Sequence, residues 1–137
     1  MKKYLLFFVT FVPLVISCKQ KQDVEDSNRV QLVSPQEMKQ FIDMNQVQLI
    51  DVRTPEEYEA GHLINSENLN FFDETFEAEL DKLDKNAPVC VYCKSGGRSA
   101  KAAEILKKKG FKAIYNLDGG IMGWEKDGLP IDKTKSE

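Results

Sequence analysis

The sequence predicts an α/β fold in which helices cover both faces of a mainly parallel β-sheet, giving a three-layer sandwich. Short apolar runs rich in β-formers alternate with amphipathic segments of helical spacing, and this alternation is typical of a parallel sheet. The chain has 137 residues, of which 42% are hydrophobic and 30% charged. This length and composition are sufficient for one domain with its own core.

The N-terminal residues 1–17 are predicted to be a signal peptide. Lys2 and Lys3 are followed by an apolar run that ends at Ile16 and is shorter than the roughly 20 residues a membrane-spanning helix needs. Its last two residues begin Val15–Cys18, which resembles the lipobox of bacterial lipoproteins. This predicts a lipid on Cys18, attachment to a membrane of the bacterial cell envelope, and a domain outside the cytoplasm. An uncleaved anchor or a plain secretory signal stays open.

The rest of the chain divides into a tether, a domain and a tail. Residues 18–29 are polar and lack aromatic side chains, which is typical of a flexible tether. The domain is predicted over residues 30–132, and residues 133–137 form the tail. The whole chain carries a net charge of −3 and no basic face is evident, so nucleic acid is not an expected partner.

Two helix starts are strongly marked. Ser34–Glu37 and Thr54–Glu57 each combine an N-cap hydroxyl, a proline at the first helical position and a glutamate that closes a capping box. The first follows a short strand, Val30–Val33, and the second follows a buried strand, Val47–Val52. The second start opens a short helix over Pro55–Ala60.

The middle of the chain is less regular. Ile64–Leu69 is either a short strand or a loop. A third amphipathic helix is predicted beyond it from apolar residues at helical spacing: Phe72, Phe76, Leu80 and Leu83.

The last third is predicted to contain two strands and two helices. Val89–Tyr92 is a buried strand, and the helix that starts at Ser99 runs to Lys109. A further short strand, Ala113–Asn116, precedes a diglycine turn and a final helical turn that carries Trp124.

The loop after Val89–Tyr92 places a cysteine and an arginine around two glycines. Cys93 directly follows the strand, Gly96 and Gly97 tolerate positive φ, and Arg98 closes the loop. Backbone N–H groups in such a curl point inward, and the start of the following helix adds partial positive charge. A thiol here loses its proton more easily than a free cysteine, whose pKa is about 8.5. We therefore expect a Cys93 thiolate that faces an anion.

This C-x4-R loop resembles the active loop of the rhodanese family of sulfurtransferases. Other segments resemble the family's remaining motifs in the same order: Leu49–Arg53, Glu57–Leu63 and Leu117–Pro130. The resemblance covers about residues 30–131 and implies a rhodanese-like fold and sulfur transfer. Cysteine phosphatases use C-x5-R, so the shorter loop disfavours a phosphatase or arsenate reductase of related fold.

The other loop residues, Lys94–Ser99, are expected to bind substrate. Arg98 either fixes the loop and helps hold a thiosulfonate or persulfide anion, or it caps the helix or pairs with an acid in the core. Lys94 either steers an anionic substrate or is a solvated lysine. The hydroxyls of Ser95 and Ser99 either donate to a sulfur anion or cap the helix.

Residues outside the loop are expected to play supporting or structural parts. By resemblance, Asp51 and Arg53 support the loop through hydrogen bonds; otherwise they are a charged pair at a strand end. Cys90 completes a C-x-x-C pattern, but it lies inside a strand and about 10 Å from Cys93, too far for a disulfide. It is interpreted as a core thiol. His62 is interpreted as a structural residue rather than a general base.

The expected reaction is a two-step sulfur transfer. The Cys93 thiolate takes the outer sulfur of thiosulfate, a persulfide or a polysulfide, and a thiol or protein acceptor then takes that sulfur from the Cys93 persulfide. No metal or organic cofactor is implied, and a monomer is expected. The alternative from another class is a tethered persulfide carrier or binding module with little turnover.

Overall fold

A single parallel sheet organises residues 29–133, the part of the chain that this computed structural model describes. The strands are β1 (Val30–Val33), β2 (Gln48–Asp51), β3 (Glu67–Asn68), β4 (Val89–Tyr92) and β5 (Ile114–Leu117). They lie in the order β1-β5-β4-β2-β3, and each neighbouring pair is parallel.

Helices cover both faces of this sheet, which confirms the predicted three-layer α/β sandwich. The helices are α1 (Pro35–Asp43), α2 (Pro55–Glu59), α3 (Phe76–Leu80), α4 (Gly97–Lys108) and α5 (Gly120–Lys126). Side chains of α3 and α4 pack in one buried cluster with β2, β4 and β5, and side chains of α1 and α5 pack in a second cluster with the same strands. The helices of each layer therefore pack their apolar side chains against the sheet.

Both predicted capping boxes are present. The hydroxyls of Ser34 and Thr54 accept hydrogen bonds of 3.3 Å from the backbone N–H groups of Glu37 and Glu57, and each glutamate accepts from its cap backbone in return. These reciprocal bonds satisfy N–H groups that a helix start otherwise leaves unpaired. Helices α1 and α2 therefore begin where local sequence predicts.

The third predicted helix is shorter than the pattern of apolar residues indicated. Helix α3 covers Phe76–Leu80 alone, and Phe72 lies outside it with 67% of its surface exposed. The Asp73 carboxylate accepts hydrogen bonds from the N–H and hydroxyl of Thr75 at 2.8 and 2.7 Å, and the Asn70 side chain accepts from the N–H of Phe72 at 3.1 Å. Such local side-chain bonds compete with helical ones, so the segment before Phe76 forms turns.

The predicted boundaries differ elsewhere by a few residues. Helix α4 begins at Gly97, two residues before the predicted start at Ser99, and the uncertain segment Ile64–Leu69 contains the two-residue strand β3. The predicted signal peptide, Cys18 and nearly all of the tether and tail lie outside the described residues. No helix within residues 29–133 is long and apolar enough to cross a membrane.

The parallel strands place their carboxyl ends at one edge of the sheet. Strand β4 lies between β2 and β5, and Cys93 is the first residue beyond its carboxyl end. Ligand sites of open α/β sheets lie at this edge. The topology therefore brings the loop after β4 to the position where a binding site is expected.

Candidate active site

The Cys93 sulfur lies inside the curl of its own loop. The backbone N–H of Gly96 donates to Sγ at 3.1 Å, and the hydroxyl of Ser99 is 3.4 Å from the same atom. Cys93 is 1% exposed and Ser99 is fully buried. The sulfur thus faces hydrogen-bond donors at the start of α4, where the helix dipole also favours negative charge.

These contacts favour the thiolate form of Cys93. Burial raises the pKa of the thiol, but hydrogen bonds from the side chain and backbone of Ser99 and from the backbones of Gly96 and Ser95 outweigh it. The net result is a pKa below the ordinary value for cysteine. A thiolate is the nucleophilic form of cysteine, so the site can support attack on an electrophilic sulfur.

The main chain of the loop makes the curl possible. Gly96 has φ of +116° and is the N-cap of α4, and Gly97 is the first residue of that helix. A residue with a side chain rarely adopts this φ, which explains the glycine at position 96. The side chains of Lys94 and Ser95 point to solvent, because both residues are exposed.

The Arg98 side chain forms an ion pair with Glu57. Its Nη1 and Nη2 donate to the two carboxylate oxygens of Glu57 at 2.7 and 2.9 Å. The guanidinium Cζ also lies 5.7 Å from the centroid of the exposed Phe72 ring. Arg98 is therefore paired with a partly exposed acid, and its part in holding a donor anion stays a prediction.

Asp51 and Arg53 form an ion pair at the carboxyl end of β2. The Arg53 guanidinium donates to both Asp51 oxygens, the shortest contact being 2.6 Å, and Nη2 also donates to the carbonyl of Gly61 at 2.7 Å. Asp51 is fully buried and Arg53 is 5% exposed. The Arg53 guanidinium lies 5.7 Å from the ring centroid of Tyr92, the residue before Cys93. The pair therefore joins the end of β2 to the end of β4.

The two cysteines of the C-x-x-C pattern lie on opposite faces of the sheet. Cys90 belongs to the buried cluster with α1 and α5, and Cys93 belongs to the cluster with α3 and α4. Both are free thiols, and burial raises the pKa of Cys90 to about 12. Cys90 is thus a core thiol, whereas Cys93 has the surroundings of a nucleophile.

Helix α5 supports the loop from the β5 side. The backbone N–H groups of Ile121 and Met122 donate to the carbonyls of Cys93 and Lys94 at 2.9 and 3.2 Å. This approach needs glycine at position 120, because a Cβ there would lie 2.5 Å from the Lys94 carbonyl oxygen. Two loop carbonyls are therefore bonded to the first turn of α5.

His62 and Trp124 contact other parts of the domain. His62 Nδ1 is 2.9 Å from the carbonyl of Tyr58, and the two rings stack with centroids 3.7 Å apart. Trp124 is 3% exposed and donates from Nε1 to the carbonyl of Pro130 at 2.9 Å. Within residues 29–133, no group of three or more His, Cys, Asp or Glu side chains is arranged to hold a metal ion.

Sequence reasoning missed two features of this site. Glu57 was identified only as a capping residue and as part of a family motif, and nothing local indicated its contact with Arg98. The role of Gly120 was also missed, although the diglycine beside Trp124 was visible in the sequence. Both contacts join segments that are distant along the chain.

Comparison with known proteins gives a family match and several individual relatives. Residues 34–127 match the Rhodanese-like domain family. Protein YqhL of Bacillus subtilis is 39% identical over 77 residues, which are 56% of this chain and 60% of that protein. The thiosulfate sulfurtransferase GlpE of Actinobacillus pleuropneumoniae is 33% identical over 100 residues, which are 73% of this chain and 91% of that protein.

Solved structures extend the match to the fold. The solution structure of the polysulfide-sulfur transferase homodimer from Wolinella succinogenes superposes with a TM-score of 0.67 at 33% identity, covering 82% of this chain and 84% of that one. The family match covers more than half of the chain. It includes the Cys93 loop and the two helices that contact this loop, α2 and α5. The chain therefore belongs to the Rhodanese-like domain family.

Proposed function

We propose that the protein is a sulfurtransferase that carries sulfane sulfur as a Cys93 persulfide. The observation that carries this proposal is the Cys93 sulfur itself, which accepts a hydrogen bond from Gly96 and lies beside the Ser99 hydroxyl. An activated thiolate surrounded by fixed donors is the arrangement that nucleophilic catalysis needs.

The proposed reaction balances without an external oxidant or reductant. The Cys93 thiolate attacks the outer sulfur of thiosulfate, a Cys93 S–S bond forms, and the sulfur–sulfur bond of the donor breaks. Sulfite leaves with the electron pair. A thiophile such as cyanide, or a cellular thiol, then attacks the terminal sulfur, and the Cys93 thiolate is the leaving group. The Gly96 and Ser99 donors stabilise negative charge on sulfur at both stages.

The donor is proposed to be thiosulfate, a persulfide or a polysulfide. The names of two relatives, a thiosulfate sulfurtransferase and a polysulfide-sulfur transferase, support donors of this class. Cys93 is 1% exposed, so a donor must present a narrow terminal sulfur to reach it. Terminal sulfane sulfur meets this requirement.

Intact-mass measurement tests the proposal. Incubation with thiosulfate is expected to add the mass of one sulfur atom, located on Cys93 by peptide mapping, and cyanide is expected to remove it as thiocyanate. Cys93→Ser is expected to gain no sulfur while keeping its circular-dichroism spectrum. Absence of the adduct in wild type with thiosulfate, an organic persulfide and polysulfide would refute the proposal. A stable adduct with very slow release to cyanide would indicate a carrier.

We also propose that the domain is held at a membrane of the bacterial cell envelope by a lipid on Cys18. The support is the sequence alone, in which Cys18 follows a short apolar run behind two lysines. Several acyl chains would each add about 0.8 kcal/mol per buried methylene, enough for stable attachment. We propose that the domain acts there as a monomer, which sedimentation of the purified domain tests.

A further inference from the structure

We propose that Glu57 is a positioning residue for the Cys93 loop and that it acts through Arg98. This proposal rests on the proposed role of Cys93 as nucleophile. It assigns Arg98 a part in holding the loop rather than in binding the donor anion.

The contact between the two side chains is a two-pronged hydrogen-bonded ion pair. Each terminal nitrogen of Arg98 donates to a different oxygen of Glu57, at 2.7 and 2.9 Å. The side chains are 21% and 30% exposed, respectively, so solvent reaches the pair but does not surround it. Paired hydrogen bonds of this kind fix orientation as well as distance.

The Glu57 carboxylate is fixed at the start of α2. Its Oε2 accepts from the backbone N–H of Thr54 at 3.0 Å as well as from Arg98. One carboxylate therefore caps α2 and anchors the start of α4. Helix α2 contains only Pro55–Glu59 and buries none of its residues. The hydrogen bonds to Thr54 and Arg98 therefore help to fix the position of the Glu57 carboxylate.

Arg98 lies between the groups that face the sulfur. Gly96, two residues earlier, donates to Cys93 Sγ, and the hydroxyl of Ser99 approaches it from the next position. A shift of Arg98 would move both donors, since Gly96 is the N-cap of α4 and Arg98 and Ser99 lie in its first turn. Stabilisation of charge by fixed donors depends on distances near 3 Å.

The charge of Arg98 is already compensated. The Arg98 guanidinium holds the pKa of Glu57 at about 2, although partial burial opposes this and the Thr54 backbone assists it. Glu57 is thus an anion at any working pH, and the pair has no net charge. An incoming anion would have to compete with a carboxylate for the guanidinium, which favours a positioning part for Arg98.

A double-mutant cycle in the full-length protein tests the proposal. The variants are Glu57→Ala, Arg98→Ala and the double variant, with Glu56→Ala as the matched control because Glu56 is an exposed neighbour on the same helix. The first measurement is the rate of Cys93 persulfidation by thiosulfate, normalised to folded protein. The second is the pH midpoint of Cys93 alkylation by iodoacetamide, with the site located by peptide mass.

If Glu57 acts through Arg98, both single variants and the double variant lose a similar factor of about tenfold or more in persulfidation, because residues that act as a unit are non-additive. The pH midpoint of Cys93 alkylation is expected to rise in the double variant. This variant loses one positive and one negative charge, so its net charge is unchanged and a shift of the midpoint reports a change in geometry. Glu56→Ala behaves as wild type in both measurements.

Two results would overturn the proposal. A large loss in Arg98→Ala with none in Glu57→Ala would show that Arg98 binds the donor directly. A double variant with wild-type rate and midpoint would show that the pair is not needed for the loop. If wild type forms no persulfide with any donor, the proposed function fails, whereas the alkylation midpoint still decides the role of Glu57.

Discussion

The backbone N–H of Ile121 donates a 2.9 Å hydrogen bond to the carbonyl oxygen of Cys93. Helix α5 therefore holds the residue proposed as nucleophile from the side opposite to its sulfur donors. The contact requires Gly120, which has φ of +59° and whose Cβ would lie 2.6 Å from the same carbonyl oxygen. This close approach of two backbones makes position 120 sensitive to the smallest side chain.

Gly120→Ala is expected to lower both stability and sulfur transfer. The added methyl group would contact the Cys93 and Lys94 carbonyls and push α5 away from the loop. A positive φ alone costs a residue with a Cβ about 1–2 kcal/mol, and the contact adds to this. Urea unfolding and cyanide-linked turnover measure the two effects.

Gly128→Ala is the control for that substitution. Gly128 also has a positive φ, +72°, but a Cβ there would meet nothing within 4 Å. The Gly128→Ala substitution is expected to lower the free energy of unfolding by about 1 kcal/mol and to leave turnover unchanged. Equal losses of turnover in the two variants would show that the backbone contact at Gly120 has no part in supporting the loop.

Cys90→Ala is expected to leave sulfur transfer unchanged. Cys90 is fully buried on the face of the sheet opposite to Cys93, so its loss leaves a small cavity that costs about 1 kcal/mol. Cyanide-linked turnover and thermal unfolding are measured on one preparation. A tenfold fall in turnover with unchanged stability would indicate that the two cysteines act as a redox pair.

The reactivity of Cys93 is expected to rise with pH through a midpoint below that of an ordinary cysteine. The thiolate is the reacting form, so the rate of alkylation increases as pH passes the pKa of Cys93, which hydrogen bonds from Ser99 and the Gly96 backbone lower. Ser99→Ala removes one of these donors, and its midpoint is expected to move to higher pH. An unchanged or lower midpoint would contradict this account of the thiolate.

The Glu57–Arg98 pair is expected to stabilise the fold until the solution becomes strongly acidic. The pKa of Glu57 falls from 4.5 to about 2 on folding. Its contribution is therefore present above about pH 4.5 and is lost as pH falls towards 2. Glu57→Gln is expected to lower the free energy of unfolding by about 1 kcal/mol at neutral pH, given solvent screening.

Urea unfolding of wild type and Glu57→Gln between pH 2 and pH 7 measures this difference. The range extends down to the pKa of Glu57 in the folded protein, which is about 2. The two stability curves are expected to converge at the acid end. A difference that stays constant down to pH 2 would mean that the carboxylate charge does not contribute.

Cys18→Ala is expected to release the domain from membranes or to leave its precursor unprocessed. Cys18 stands where a lipobox places the cysteine that receives a lipid, behind a short apolar run. Membrane fractionation and metabolic labelling with a fatty acid measure the outcome in cells, with Cys90→Ala as the control. Unchanged labelling and fractionation of Cys18→Ala would contradict the lipid anchor.

The sequence by itself determined the features that depend on neighbouring residues. Ser34 and Thr54 mark helix starts because a capping box lies within four residues. The Cys93–Arg98 spacing marked the loop because the cysteine, the glycines and the helix start are adjacent in the sequence. The predicted third helix was too long, because apolar spacing alone did not reveal the turn that Asp73 forms with Thr75. Such local side-chain bonds compete with helical ones.

The tertiary structure decided which segments hold the loop. Glu57 and Arg98 are 41 residues apart along the chain, and they meet because β2 and β4 are neighbours in the sheet. Gly120 meets the Lys94 carbonyl because β5 flanks β4 on the other side. Strand order is set by packing across the whole domain, so no local pattern encodes these contacts. The partner of Arg98 could therefore be identified only from the folded chain.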